Sequence, residues 1–419
     1  MNDIRRTILW VIFGFSMVLL WDQWQVHNGK KATFFPSPAQ QVAPAAVGAS
    51  GPLPAASDAG VPAAVAQAGT AMAPVAPVAP TAPKERFEVT TDVLKLTFDT
   101  EGGSLVRTEF LKYSDMADKT RNFVLLDDSK DRVYMAQTGV IAGAAGGAFP
   151  THKTPMAVTG ERVLKDGANE LVVKFTSPDV GGIKLVKTYT LRRGAYDATV
   201  KHEVTNTSTT AIAPQLYLQL VRDGNKPAGE SSFYSTFTGP AVYTEAKKYQ
   251  KAEFSDIKKK NVDVEKQASN GYIAMVQHYF ASAWILPDGI QRNLSLDAVD
   301  IGASVPDCCY RATMIAPLEA IAPGATKVVD AKFFAGPQEE KMLESLAPGL
   351  ELVKDYGWLT ILAKPLYWLL DKLHSFIQNW GWSIVALVLL LKIAFYWLNA
   401  KAYASMAKMK AVNPKIMEM

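Results

Sequence analysis

Residues Tyr196 to Val204 read YDATVKHEV. Tyr196, Ala198, Val200, His202 and Val204 fall on one face, and charged or polar residues fall on the other. A period of two with one apolar face is the signature of a half-buried antiparallel strand. The pattern recurs on both sides. Leu94, Leu96 and Phe98 alternate with Lys95 and Thr97, and Leu216, Leu218 and Leu220 repeat the spacing. Ile183, Leu185, Tyr189 and Leu191 do so with Lys187 as the exception. Turn residues separate these runs at Gly102-Gly103, Gly181-Gly182, Arg193-Gly194 and Asp223-Gly224. Short strands over residues 85–336 predict one large all-β sandwich rather than two small ones.

Within that region His202 reads as a core residue, since it shares its face with Ala198 and Val200. Cys308 and Cys309 are adjacent, so they are expected as small buried hydrophobes rather than as an unstrained disulfide. The five histidines show no metal-ligand spacing, and no nucleophile elbow, phosphate loop or obvious carboxylate pair is present. No cofactor, metal or covalent chemistry is expected. With 44 Lys and Arg against 40 Asp and Glu, the net charge of +4 gives no reason to expect direct nucleic-acid binding. An apolar share of 48% excludes a chain disordered throughout and a densely polytopic one.

Two apolar runs frame the sandwich. Ile8 to Trp21 reads ILWVIFGFSMVLLW, with no charge between Arg6 and Asp22. It is short for a membrane span, but tilt and the tryptophans Trp10, Trp21 and Trp24 make it workable as an anchor over residues 1–24. A cleaved signal peptide is the alternative. The stretch after Trp21 offers no small-residue cleavage site, so an uncleaved anchor is expected. The second run, Trp380 to Leu398 (WGWSIVALVLLLKIAFYWL), would rise about 28 Å as a helix, close to the roughly 30 Å hydrocarbon core. Lys401, Lys408, Lys410 and Lys415 follow it and place residues 399–419 in the cytoplasm. Arg5 and Arg6 put the N-terminus on the same side, although Lys30 and Lys31 weaken that asymmetry. Residues 25–379 then lie across the membrane, which in a Gram-negative bacterium is the periplasm.

Residues 39–83 hold 17 Ala and 8 Pro in 45 positions, with Asp58 the only charge. Such a segment cannot bury a core, so residues 25–84 read as a tether. A proline-rich ligand for a partner is the alternative. At the other end, PQEEKMLESLAPG suggests a connecting helix within 337–354, with Pro337 at its first position. Residues 355–379 carry Trp358, Leu362, Leu366, Leu369, Leu373 and Phe376 at steps of three and four, interspersed with Lys364, Asp371, Lys372 and His374. This is too charged to span and too apolar to be solvated. It predicts a helix lying in the membrane interface, with Trp358, Trp368, Trp380 and Trp382 at headgroup depth.

Lys392 is a charge inside the second run. Snorkelling to the cytoplasmic headgroups would account for it. A functional role is the other reading, because Tyr396, Asn399 and Tyr403 follow at i+4, i+7 and i+11 and make a polar stripe. That stripe predicts a hydrated cavity open to the cytoplasm and closed toward the periplasm by Val385, Val388 and Leu389.

DYGWLTILAKPLYWLLDKLHSFIQNWGWSIVALVLLLK from Asp355, AKAYASMAKMKAVNPKI after it, and GYIAMVQHYFASAWI at Gly271 to Ile285 closely resemble the YidC family of membrane-protein insertases of Gram-negative bacteria. The anchor, tether and β domain fit as well. The resemblance implies a supersandwich similar to galactose-mutarotase-like folds, an interfacial helix, a second transmembrane helix and the start of a cytoplasmic hairpin. Lys392 falls where the family carries its positive groove residue, usually arginine. The implied activity is insertion and folding of nascent inner-membrane proteins, alone or with Sec translocon components. The lipid bilayer, and the ribosome through the cytoplasmic regions, are further implied partners. Family members continue past Met419 with helices that complete the groove, so a truncated chain is expected. A membrane-anchored carbohydrate-binding or carbohydrate-modifying protein is the alternative function, and the β domain as a docking platform for translocon components is compatible with the first.

Overall fold

A computed structural model describes residues 60–64, 85–116, 118–142, 148–227, 236–356, 360–397, 400–401 and 403–406. The apolar run 8–21, most of the tether, Trp358, Asn399 and residues 407–419 lie outside the described residues.

Among the described residues the β region carries 18 strands. The first nine are β1 (Arg86–Thr90), β2 (Leu94–Asp99), β3 (Ser104–Ser114), β4 (Asn122–Asp128), β5 (Val133–Ile141), β6 (Ala157–Gly160), β7 (Glu170–Thr176), β8 (Ile183–Arg192) and β9 (Asp197–Asn206). Then follow β10 (Gln215–Arg222), β11 (Gly239–Thr244), β12 (Lys248–Lys251), a short helix α1 (Phe254–Lys258), β13 (Gln267–Ala268), β14 (Tyr272–Gln277), β15 (Phe280–Ile285), β16 (Arg292–Ala298), β17 (Tyr310–Pro317) and β18 (Thr326–Pro337). They form two nine-stranded sheets. The first runs β1-β2-β3-β4-β5-β10-β17-β16-β13 and the second β12-β11-β14-β15-β18-β9-β8-β7-β6.

The alternating residues face each other between the sheets. Leu216, Leu218 and Leu220 of β10 meet a core that includes Leu185, Val200, Val204 and Trp284 from the second sheet. Phe98 of β2 packs on Phe175 of β7 at 5.3 Å and edge-on against Tyr189 of β8 at 4.9 Å. These rings tie the two sheets together at one end of the sandwich.

Lys187 and His202 are opposite each other across β8 and β9 and are both buried. The Lys187 ammonium donates to the carbonyls of Gly102 and Thr138, each at 2.6 Å. Burial alone pulls its pKa down to about 7. Burial first, and then the charge of Lys187, hold His202 in its neutral form with a pKa of about 3. Its Nε2 lies 3.1 Å from the Thr138 hydroxyl. His202 is therefore the core residue its alternation predicted, and the lysine that broke the pattern of β8 points inward with it. Arg292 is a second buried cation. Its guanidinium donates to the carbonyls of Ser269, Gly271, Leu286, Pro287 and Ile290, and so closes the β13–β16 end of the sheet.

The outer face of the second sheet carries small and aromatic residues, among them Ala241, Tyr243, Tyr272, Ala274 and Ala283. A helix α2 (Glu340–Leu346) and a 3₁₀ turn (Leu350–Val353) cover it with Leu343, Ala347, Leu350 and Val353. Gly349 opens the 3₁₀ turn at φ 78°, and a Cβ there would run into the Tyr243 ring. Glycine meets both demands. The Tyr272 hydroxyl donates to the Gly349 carbonyl at 2.7 Å.

Two expectations are corrected here. Pro337 does not open a helix: it is the last residue of β18, paired with Phe280, and α2 begins at Glu340 after Glu339. The side chain of Gln338 donates to the Gln277 and Phe280 carbonyls and holds the chain in the sheet to that point. Of the two adjacent cysteines only Cys309 is buried, and Cys308 is half-buried at the edge of its cluster. Cys309 still packs as a hydrophobe, in a small cluster with Val133, Met135, Val221 and Val305.

Candidate functional site

Beyond the 3₁₀ turn the chain forms α3 (Thr360–Ile377) and α4 (Trp380–Ala394). The break between them is local. Gln378 adopts φ 57°, while its N–H donates to the His374 carbonyl at 2.7 Å. Asn379 then caps α4, its side-chain oxygen accepting from the Trp382 N–H at 3.1 Å. The Ser383 hydroxyl donates to the Asn379 carbonyl at 2.7 Å, and the His374 and Trp380 rings stack with centroids 3.7 Å apart.

The polar side of α3 is tied to α2 and the 3₁₀ turn. Lys341 of α2 bridges both oxygens of Asp371 at 3.0 and 2.9 Å, and Lys364 lies 3.9 Å from Glu340. The Tyr356 hydroxyl donates to Glu340 at 3.0 Å, and the Lys354 ammonium sits 4.2 Å from the Tyr367 ring centroid. The hydrogen bond from Lys341 holds the Asp371 carboxyl below the usual range, and the same bond raises Lys341.

Another face of α3 is uncovered and apolar apart from the exposed Lys372. Ile361 is 84% exposed, Phe376 89% and Trp368 61%. Helix α4 behaves alike: Trp380, Trp382, Ile384, Val385, Leu389 and Ile393 are all exposed, and Ser383 is its one buried residue. A protein in water does not ordinarily leave a contiguous apolar surface of this kind uncovered. The arrangement is suited to lipid or to the apolar segment of another protein.

Lys392 is exposed in the last turn of α4. A cation there complements the carbonyl end of the helix, a role the sequence pattern does not reveal. Tyr396 and Tyr403 are exposed as well. The helix ends at Ala394, with the Phe395 N–H turning back to the Leu391 and Ile393 carbonyls. The run 380–398 is thus not one uninterrupted helix, and Tyr396 and Tyr403 follow Lys392 from beyond the end of α4. At 15 residues α4 would measure about 22 Å. No helix among the described residues is long and apolar enough to cross a membrane. Of the interfacial tryptophans, Trp368 lies on α3, and Trp380 and Trp382 open α4.

Residues 86–369 match the family model of the YidC periplasmic domain, and residues 372–419 match that of the 60Kd inner membrane protein. The membrane protein insertase YidC of Cupriavidus taiwanensis is 51% identical over 421 residues, a match covering 99% of this chain and 72% of that protein. That of Bordetella pertussis is 48% identical over 417 residues, with the same shares covered. The chain belongs to the YidC family of membrane protein insertases. The two models divide it into a periplasmic domain and an inner-membrane part, and the names of the relatives favour insertion over the carbohydrate alternative. Among solved structures, a galactose mutarotase related enzyme from Lactobacillus acidophilus is 6% identical with a TM-score of 0.37, covering 60% of this chain and 97% of that one. A putative aldose 1-epimerase from Escherichia coli K12 is 10% identical with a TM-score of 0.36, covering 61% and 100%. Likenesses this slight carry no argument about what the β domain binds.

Proposed function

We propose that this chain is the anchor, periplasmic domain and leading membrane segments of an insertase that moves nascent inner-membrane proteins into the bilayer without covalent chemistry. The observation that carries the reading is the α3–α4 hairpin. It is tied to the β domain through ion pairs on one side and presents exposed apolar residues on the other, with Lys372 among them on α3 and Lys392 the cation of its second helix. Helix α3 lies in the interface with Trp368, Trp380 and Trp382 at headgroup depth, and Trp358 precedes it. The segment from Trp380 to Leu398 enters the bilayer, its terminal part completing the span beyond Phe395. The N-terminus and residues 399–419 are cytoplasmic, and residues 25–379 are periplasmic.

In this reading Lys392, Tyr396, Asn399 and Tyr403 line a hydrated groove that opens to the cytoplasm. A positive charge at the wall of a low-dielectric groove attracts the acidic flank of an incoming span and lowers the barrier to moving it. The apolar span then leaves sideways into lipid, driven by burial of its side chains. A lysine supplies the charge without the two-pronged geometry of a guanidinium, so the groove selects for potential rather than for bidentate pairing. The nascent chain is the substrate. The Sec translocon and the ribosome are partners for substrates with large translocated domains.

The test is complementation of a depleted strain with the full-length protein, reading insertion of a single-span reporter by protease accessibility. Lys392→Ala impairs reporters with acidic translocated tails and Lys392→Arg restores them. Equal insertion by all three proteins would refute the groove-charge mechanism.

A further inference from the structure

The tether is not featureless where it meets the β domain. Gly60 to Ala64, sequence GVPAA, lies along the outer face of the first sheet, across strands β5, β10, β17 and β16. The Gly60 carbonyl accepts from Gln219 Nε2 at 3.1 Å and from Arg311 Nη1 at 3.0 Å. Arg311 is itself held by Asp297, and Gln219 by Gln137 at 2.7 Å. Val61 packs on Ile141, Tyr217 and Ile315, and Pro62 is buried. Gly60 has φ +97° with Ile301 and His152 around it, a backbone that a side chain at this position would strain.

Two further observations mark this face as a binding site rather than a resting place. Gln219 Oε1 and Thr313 Oγ1 are buried and have no hydrogen-bond partner among the described residues. They belong to register partners on β10 and β17. Thr313 lies between Arg311 and Ile315 on the same face of β17, so both oxygens lie on the face that the docked segment covers. Buried acceptors without donors are costly, and a peptide N–H is a donor that satisfies them. The groove also extends past its occupant. Ala63 forms one wall of an open cavity of about 630 Å³ that continues over Asn293, Ser295 and Ile315 to Val264 and Gln267.

We propose that the outer face of the first sheet is a peptide-binding groove for an extended, uncharged segment of small residues led by a glycine. Its resident ligand is the chain's own tether, and release of the tether admits a translocated segment of the same chemistry. The role in admitting translocated segments rests on the insertase reading. The groove itself does not, and its test uses no insertion assay, so either can fail without the other.

The experiment uses the full chain in detergent micelles. A fluorescent peptide with the sequence of residues 57–66, SDAGVPAAVA, is titrated by anisotropy against wild type, Gly60→Val and a deletion of residues 60–64. The deletion leaves every strand intact, so the binding result does not hinge on how one substitution folds. The expected result is weak binding to wild type, whose groove the tether fills. The peptide then binds the two released variants at least about tenfold more tightly than wild type, and Arg311→Met in the deletion background, which removes a donor to the Gly60 carbonyl, weakens it. A peptide with valine in place of its glycine fails to bind. A deletion variant that does not bind the peptide would overturn the proposal.

Discussion

The sandwich and the hairpin hold similar side chains and treat them in opposite ways. Between the sheets, leucines, valines and aromatics are withdrawn from solvent on both inner faces, and even Lys187 and His202 are closed in with them. On α3 and α4, isoleucine, leucine, tryptophan and phenylalanine face outward together with Lys372 and Lys392, while Asp371 and Lys364 pair with side chains of α2. Apolar surface is buried wherever the solvent is water, so the inversion identifies the medium for which each region is built. The difference also separates the two regions: the sandwich is stable through its own core, and under the proposed function the hairpin completes its burial in a bilayer or against a substrate.

The sharpest way to break the comparison is one large side chain in each region. Trp284 is fully buried, packs on Phe333 at 4.8 Å and donates its indole N–H to the Gln219 carbonyl at 3.2 Å. Trp284→Ala should cost about 3–5 kcal/mol in urea unfolding of the β domain, from lost transfer energy and the cavity left behind. Trp368→Ala should leave that transition unchanged. The next effect in size belongs to the hairpin. Ile361→Asp with Phe376→Asp places two charges on the bare face of α3 and should weaken binding to lipid vesicles at least about tenfold, with the same unfolding midpoint. If the double variant unfolded the β domain instead, the exposed face would be packing against protein.

Much of this contrast was legible in the sequence because each region keeps one period. β8 and β9 expose alternate residues as their patterns require, and the three- and four-residue steps of 360–377 are one helix. What period cannot report is what covers an outer face. β10 reads as half-buried from Leu216, Leu218 and Leu220, yet Tyr217, Gln219 and Val221 are buried as well. Chain from residue 60 onward and around Cys309 lies over them, and no local pattern announces such a long-range contact. Pro337 departs from its local helix-start signal for a related reason: its pairing partner Phe280 is 57 residues away, and strand pairing overrides the signal. The end of α4 at Ala394 has no glycine or proline to mark it, so the apolar run to Leu398 concealed it. Lys392 was visible as a charge in an apolar run, but its place in the last turn depended on that hidden boundary.

A smaller effect comes from within the core. Lys187 loses its proton near pH 7 in the folded protein, whereas an unfolded lysine holds it to about 10.4. Between these values the unfolded state binds more protons, so stability rises with pH from about 7 to about 10. Below pH 7 both states are protonated and the penalty is constant. Lys187→Met should flatten that rise, read by urea titrations at a series of pH values, even if losing the donor to the Gly102 and Thr138 carbonyls lowers stability overall. His202 acts at lower pH with the same sign: its folded pKa of about 3 lies below the unfolded value, so stability falls as pH drops from about 6.5 toward 3. A rise between pH 7 and 10 that survived in Lys187→Met would assign it to other groups.

The smallest expected effect tests the join between the regions. Lys341 and Asp371 form the closest ion pair between α2 and α3, but the lysine is largely in solvent. Exposed pairs contribute little to stability because water screens them and ordering two side chains opposes them. Lys341→Ala should therefore not measurably move the unfolding midpoint of the β domain. It should change orientation, because the pair, the Lys364–Glu340 contact and the Tyr356–Glu340 hydrogen bond are what turn the polar side of α3 toward the sandwich. A spin label on α3 at Ser375, with its partner on β12 at Gln250, should report a broader distance distribution in Lys341→Ala and broader still with Glu340→Ala added. If the distribution stayed narrow in both variants, the apolar contacts of α2 with the second sheet would be enough to aim the hairpin. The inward-facing charges would then mark only the side of α3 that lipid does not reach.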